Sequence, residues 1–179
     1  MGSTLNSFFL FFIIIFVFSC NDTKQPAYNE GSSVKKEDLV RANQFLAGKD
    51  LERIKAYAER RNWDIEFTGT GLGYDIYKSG EGSKVEKGSS VTIEYIVSLI
   101  DGTVCYSSET DGAKTFRVGQ GGVEAGLEEG ILMLREGDRA RFIIPPYLAH
   151  GLIGDQNRIP PRAILVYEVS VIGVYFGNS

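Results

Sequence analysis

Apolar residues recur along this chain at two different spacings, and the change falls near residue 70. Before it, Leu39, Ala42, Phe45 and Leu46 share one helical face, and Leu51, Ile54, Tyr57 and Ala58 share another. Gly48 parts the two sets and Asp50 stands where a cap would, so the spacing predicts two short helices, about 36–47 and 50–61. Neither is long enough to stand alone. Their apolar faces must pack on the rest of the chain or on a second copy, and packing on the rest of the chain is the simpler reading.

From Leu72 the spacing becomes two. "GYDIYKSGEG" is a short strand and a glycine turn, and "SVTIEYIVSLI" sets Val91, Ile93, Tyr95, Val97 and Leu99 on one face. Asp101-Gly102 turns the chain into "TVCYSS", and Asp111-Gly112 turns it again before "TFRVG". "RARFIIP" alternates Ala140, Phe142 and Ile144 with Arg139, Arg141 and Ile143. "AILVYEVSVIGV" keeps Leu165, Tyr167, Val169 and Val171 in register. Among these strands one helical stretch stands out, "VEAGLEEGILMLRE", with Leu127, Ile131 and Leu134 on a common face. The pattern predicts an α+β fold: an antiparallel sheet of about five to six strands wrapped on one short helix, behind a small helical N-terminal segment.

The first residues have no such period. Phe8 to Phe18 is an unbroken apolar run that ends at Ser19-Cys20. A membrane span needs roughly 20 apolar residues, so the run suits the core of a signal peptide over residues 1–19. A small residue followed by cysteine at its end resembles a bacterial lipoprotein signal, with Cys20 the lipidated first residue of the mature chain. The box "FVFSC" is similar to those of Bacteroidetes lipoproteins, although "MGSTLNS" lacks the usual basic residue. The other reading is a short membrane anchor with Cys20 a bystander. Residues 20–34 are polar and turn-rich and read as a flexible tether. The helical segment then covers 35–70 and the main domain 71–179.

Composition adds exclusions. Hydrophobic residues make up 43% of the 179, enough for one core, and the formal net charge is -4 with no basic stripe, which argues against a nucleic-acid partner. No phosphate loop, dinucleotide fingerprint or metal-ligand spacing is present, so no cofactor and no metal is expected. The only cysteines are Cys20 and Cys105. With Cys20 lipidated, Cys105 has no partner in its own chain and reads as a small apolar residue of a strand.

One stretch fits neither period. "IIPPYLAHGLIGDQNRIPP" holds four of the five prolines and the only histidine, His150. Proline excludes a helix interior and a central strand, and loops of this length are either disordered or functional. Together with "GLEEGILMLREG", "VTIEYIVSLIDG" and the closing strand, it resembles the FKBP-type peptidyl-prolyl isomerases over about residues 72–173. The entry "TGTGLGYDIYKSGEG" and the preceding helices resemble the lipid-anchored FKBPs of Bacteroidetes, including those tied to gliding motility.

The resemblance implies a rotamase that assists the folding of exported proteins. The proline-rich loop would rim a hollow that takes a substrate proline, with proline-containing segments as partners and the cell envelope, at the periplasm-facing outer membrane, as the location. It implies that Tyr95 and Tyr167 wall the hollow, that Val123 stands at its lip, that Phe116 points inward and that the backbone N–H of Ile159 takes the substrate carbonyl. It also shows departures. Cys105-Tyr106 replaces a Phe-Asp pair, Leu127 replaces the floor tryptophan and widens the floor, Glu124 replaces an apolar lip residue and wets it, and His150 replaces a tyrosine. These leave a second reading open, an FKBP-shaped binding or partner-docking module with little turnover. A third, a purely structural envelope lipoprotein, leaves the intact loop unexplained.

Overall fold

A computed structural model describes residues 35–177. The expected signal peptide, Cys20 and the expected tether lie outside the described residues. The body of the fold belongs to one compact unit, Glu37–Ser179.

The chain opens with one helix, α1, Lys36–Glu59. This corrects the expectation of two helices broken at Gly48. Nothing lies within 4 Å of a side chain placed at Gly48, so this glycine faces open space. A single exposed glycine costs a helix about 1 kcal/mol, which packing elsewhere on α1 readily offsets. Asp50 is correspondingly no cap. It lies within the helix, buried, and pairs with Arg162 at 2.8 Å.

Seven strands follow among the described residues: β1 (Glu66–Phe67), β2 (Gly73–Lys78), β3 (Ser90–Leu99), β4 (Val104–Ser107), β5 (Lys114–Arg117), β6 (Arg139–Ile144) and β7 (Leu165–Tyr175). They form one antiparallel sheet in the order β1-β2-β6-β7-β3-β4, with β5 also on β3. Six of them fall where the alternation sets them. The seventh, β1, has two residues, too few to show a period.

The alternation sorts the sheet into two faces. Ala140, Phe142 and Ile144 of β6 join Leu165, Tyr167, Val169 and Val171 of β7 in the main core, together with Leu127, Ile131 and Leu134. Ile143 and Val166 point the other way and bury against Ile54, Tyr57 and Ala58 of α1. So α1 covers the back of the sheet. Full burial of a side chain the size of Ile54 contributes about 1.5–3 kcal/mol.

The front is covered by α3, Ala125–Ile131. Gly126 and Gly130, one turn apart, let it settle directly onto β6: a Cβ on them would lie 2.5 Å from Ile144 and 2.6 Å from Phe142. The shape of the front also depends on β3. Its N-terminal half pairs with β5 up to Ile93, and pairing with β4 starts at Ile96. A one-turn helix, α2 (Ser108–Asp111), fills the excursion between β4 and β5, and Ser108 Oγ accepts the Tyr95 N–H at 3.1 Å. This gap in the edge gives the sheet its hollow.

Candidate functional site

The hollow opens at that gap and measures about 230 Å³. Tyr95 and Val97 of β3, Tyr106 of β4, Lys114 of β5 and Tyr167 of β7 line it, with Glu124 from the N-cap of α3 and His150 and Asp155 from the proline-rich loop. Tyr95 and Val97 arrive together because residues two apart share a strand face. Larger hollows of about 490 Å³ flank α1, one of them against Pro146, Tyr147, Leu152 and Arg162. We favour the smaller one as the site, because buried ionisable groups and aromatic walls converge there.

The long loop is tied down at both ends and across to β4. Pro145 and Pro146 are buried, with a 3-10 turn at Pro146–Leu148. Gly151 N–H donates to Pro146 O at 2.8 Å and Arg162 N–H to Gly151 O at 2.9 Å. Gly154 is buried at φ +69°, and a Cβ there would strike Ile159 O at 2.2 Å, so only glycine fits. Across to β4, Tyr106 O–H donates to Asp155 Oδ2, and Arg158 Nη1 donates to Cys105 O at 2.9 Å. Asp155 Oδ1 accepts the N–H groups of Ile159 (2.8 Å) and Asn157 (2.9 Å). The loop is therefore a built rim.

Its electrostatics follow from these contacts. Burial alone would raise the Asp155 carboxyl. The hydrogen bonds from Tyr106, Ile159 and Asn157, with His150 nearby, outweigh it and hold the carboxyl below the usual range. The same bond to Asp155 pushes the Tyr106 phenol up. Burial, with the charge of Glu124 beside it, drives the Tyr167 phenol far above its ordinary value. Burial likewise raises Tyr95, helped by Asp111 and Glu124.

Of the ten residues singled out in the sequence, Tyr95, Tyr106, Glu124, His150 and Tyr167 line the hollow. The other five belong to the main core or pack against it. Cys105 is buried, its Sγ 3.6 Å from Arg158 O. Phe116 and Val123 are partly buried against the core. Leu127 is fully buried in that core and is not among the residues lining the hollow. Ile159 is buried, and its N–H is already given to Asp155, which corrects the view that it waits for a substrate carbonyl.

Glu124 is the largest departure from expectation. It does not wet the lip. Its side chain folds inward to 10% exposure, where Oε1 accepts Tyr167 O–H at 2.8 Å and His150 Nε2–H at 3.0 Å. Val97, Lys114 and Asp155 complete the lining and were not singled out. The strand alternation already pointed Val97 inward beside Tyr95. Asp155 had one signal, an acidic residue set among loop glycines and prolines. Lys114 had none.

Residues 81–172 match the family described as FKBP-type peptidyl-prolyl cis-trans isomerase. The chain is 41% identical over 111 residues to a probable FKBP-type peptidyl-prolyl cis-trans isomerase FkpA of Neisseria meningitidis, covering 62% of this chain and 40% of that protein. It is 36% identical over 103 residues to FK506-binding protein 1 of Dictyostelium discoideum, covering 57% of this chain and 96% of that protein. The crystal structure of FkpA from Escherichia coli superposes with a TM-score of 0.64 at 27% identity, over 81% of this chain and 68% of that one. The chain thus spans less than half the length of the Neisseria relative.

Proposed function

The chain belongs to the FKBP-type peptidyl-prolyl cis-trans isomerase family, and on that premise we propose that it is a rotamase acting on exported envelope proteins. The observation that carries the reading is the hollow itself. Tyrosine walls on paired strands converge under a rim held by backbone and side-chain hydrogen bonds. Rotation about an Xaa-Pro bond makes and breaks no covalent bond. Its barrier, about 18–20 kcal/mol, comes from amide resonance. A pocket that fits the twisted amide better than either planar form lowers that barrier by differential binding, with shape and desolvation as its means. The walls Tyr95, Val97 and Tyr167 supply the shape. Tyr106 and Asp155 keep the rim from yielding as the bond turns.

The test is an isomerisation assay of the full chain on a short Xaa-Pro peptide. The uncatalysed reaction takes tens of seconds or longer, so acceleration is directly visible. Turnover supports the enzyme, and binding without acceleration replaces it with a docking module. Glu124 favours that second reading, because a buried carboxylate stands where dryness would help most.

We read the cell envelope as the location, with lipid on Cys20 as the anchor, as in the gliding-motility lipoproteins of Bacteroidetes. The apolar run ending at Ser19-Cys20 supports this. Cys20→Ala should move the protein from the detergent phase to the aqueous phase. A variant that still partitions like the wild type refutes the anchor.

A further inference from the structure

Resting on the reading of the hollow as a prolyl-peptide site, we propose that it selects segments carrying a basic side chain next to the proline, and that Glu124 makes the selection. The Glu124 side chain is nine-tenths buried and lines the hollow. Both of its donors, Tyr167 O–H and His150 Nε2–H, go to Oε1. Oε2 is buried without a hydrogen-bond partner among the described residues. Leaving a carboxylate oxygen dry and unpaired is costly, and a ligand that brings a donor relieves that cost.

The other carboxylate has no such vacancy. Asp155 accepts two backbone N–H groups on Oδ1 and Tyr106 O–H on Oδ2. Glu124 Oε2 is thus the unpaired carboxylate oxygen of the lining, and because it is covered, a ligand's donor reaches it as the Glu124 side chain turns toward the hollow. A proline within a chain cannot pair that oxygen, because its acylated nitrogen carries no N–H. The donor must come from a residue flanking the proline.

Charge decides which flanking residue fits. The lining holds two carboxylates, Glu124 and Asp155, and two basic groups, His150 and Lys114. His150 is committed to Oε1, and Lys114 Nζ lies over the Tyr95 ring, 5.7 Å from its centroid. A charged donor bonds a carboxylate more strongly than a neutral one. The tyrosine rings offer faces for the aliphatic stem and the cation of Lys or Arg. An acidic neighbour meets two carboxylates and is rejected.

The test uses the full chain and two series of matched peptides, with Lys, Gln, Leu or Glu placed before or after one proline. Dissociation constants and, where turnover occurs, kcat/KM are read for each. In at least one series Lys should exceed Leu at least fivefold and Glu at least tenfold, with Gln near Leu. In Glu124→Gln, checked for folding by its thermal melt, Lys should fall to within twofold of Leu. The idea is overturned if Leu equals Lys in the wild type, if Gln matches Lys, or if the Lys preference survives in Glu124→Gln. The wild-type ranking decides the matter even if the variant does not fold. If Leu-Pro peptides are the ones preferred, only this selection falls. If no peptide is bound or turned over, the prolyl-peptide reading of the hollow falls with it.

Discussion

Removing the Asp50 carboxylate should loosen the rim from the far side of the sheet. Asp50 sits in α1 with its side chain 5% exposed, and its Oδ2 lies 2.8 Å from Nη2 of Arg162. Arg162 ends the proline-rich loop in a left-handed conformation, φ +57°, and its N–H holds Gly151, the neighbour of His150. Breaking a fully buried pair from one side costs about 3–5 kcal/mol. The Arg162 side chain is 34% exposed and can turn to water, so about half that cost, roughly 2 kcal/mol, is expected for Asp50→Ala. For a chain of this size that lowers Tm by about 4–8 °C. The rim then samples other positions, and kcat/KM on a prolyl peptide should fall severalfold.

Arg162→Gly makes the test sharper. It relieves the left-handed strain, worth roughly 1 kcal/mol, but strands the buried Asp50 carboxylate with only Arg53, 3.8 Å away, to pair it, so it should cost at least as much as Asp50→Ala. The double variant should be less destabilised than the sum of the two, by about 1 kcal/mol or more. Thermal or urea unfolding reads all three. A shift below about 1 °C in Asp50→Ala, or additive single costs, would refute the idea that α1 holds the rim through this pair.

Tyr106→Phe removes the O–H that holds Asp155 Oδ2 and should cost about 1–2 kcal/mol, with faster amide exchange at Ile159. Because the folded Asp155 carboxyl is held below its usual range, its contribution is full above about pH 4 and is lost as pH falls through that lower folded value; in Tyr106→Phe the contribution should be smaller and its loss complete at a higher pH, as followed by acid unfolding. Cys105 is 3% exposed and burial pushes its thiol up, so a thiol reagent should react about a hundredfold more slowly than with the unfolded chain; equal rates would move Cys105 to the surface. Leu127→Trp overfills a fully buried position between the two glycines that seat α3, and should lower stability by about 1–3 kcal/mol without raising turnover; a gain in turnover with unchanged Tm would show spare room that the packing denies.

The sequence by itself determined the sheet. Six strands and the face of each strand follow from strict alternation, because a residue that points inward on a pleated strand must be apolar and its neighbour need not be. The identity of the proline-rich loop was equally legible, since four prolines and its glycines exclude helix and central strand. Only the tertiary structure decided what α1 and the site became. Gly48 and Asp50 read locally as a break and a cap, but Ile54, Tyr57 and Ala58 bury against Ile143 and Val166, and Asp50 meets a residue more than a hundred positions away. Glu124 reads locally as a solvated glutamate at a helix start. Its inward turn depends on Tyr167 and His150, brought from a strand and a loop that no local window contains. A period reports the environment averaged over an element. The partner of one buried charge is set by which elements meet, and that is known only once the chain has folded.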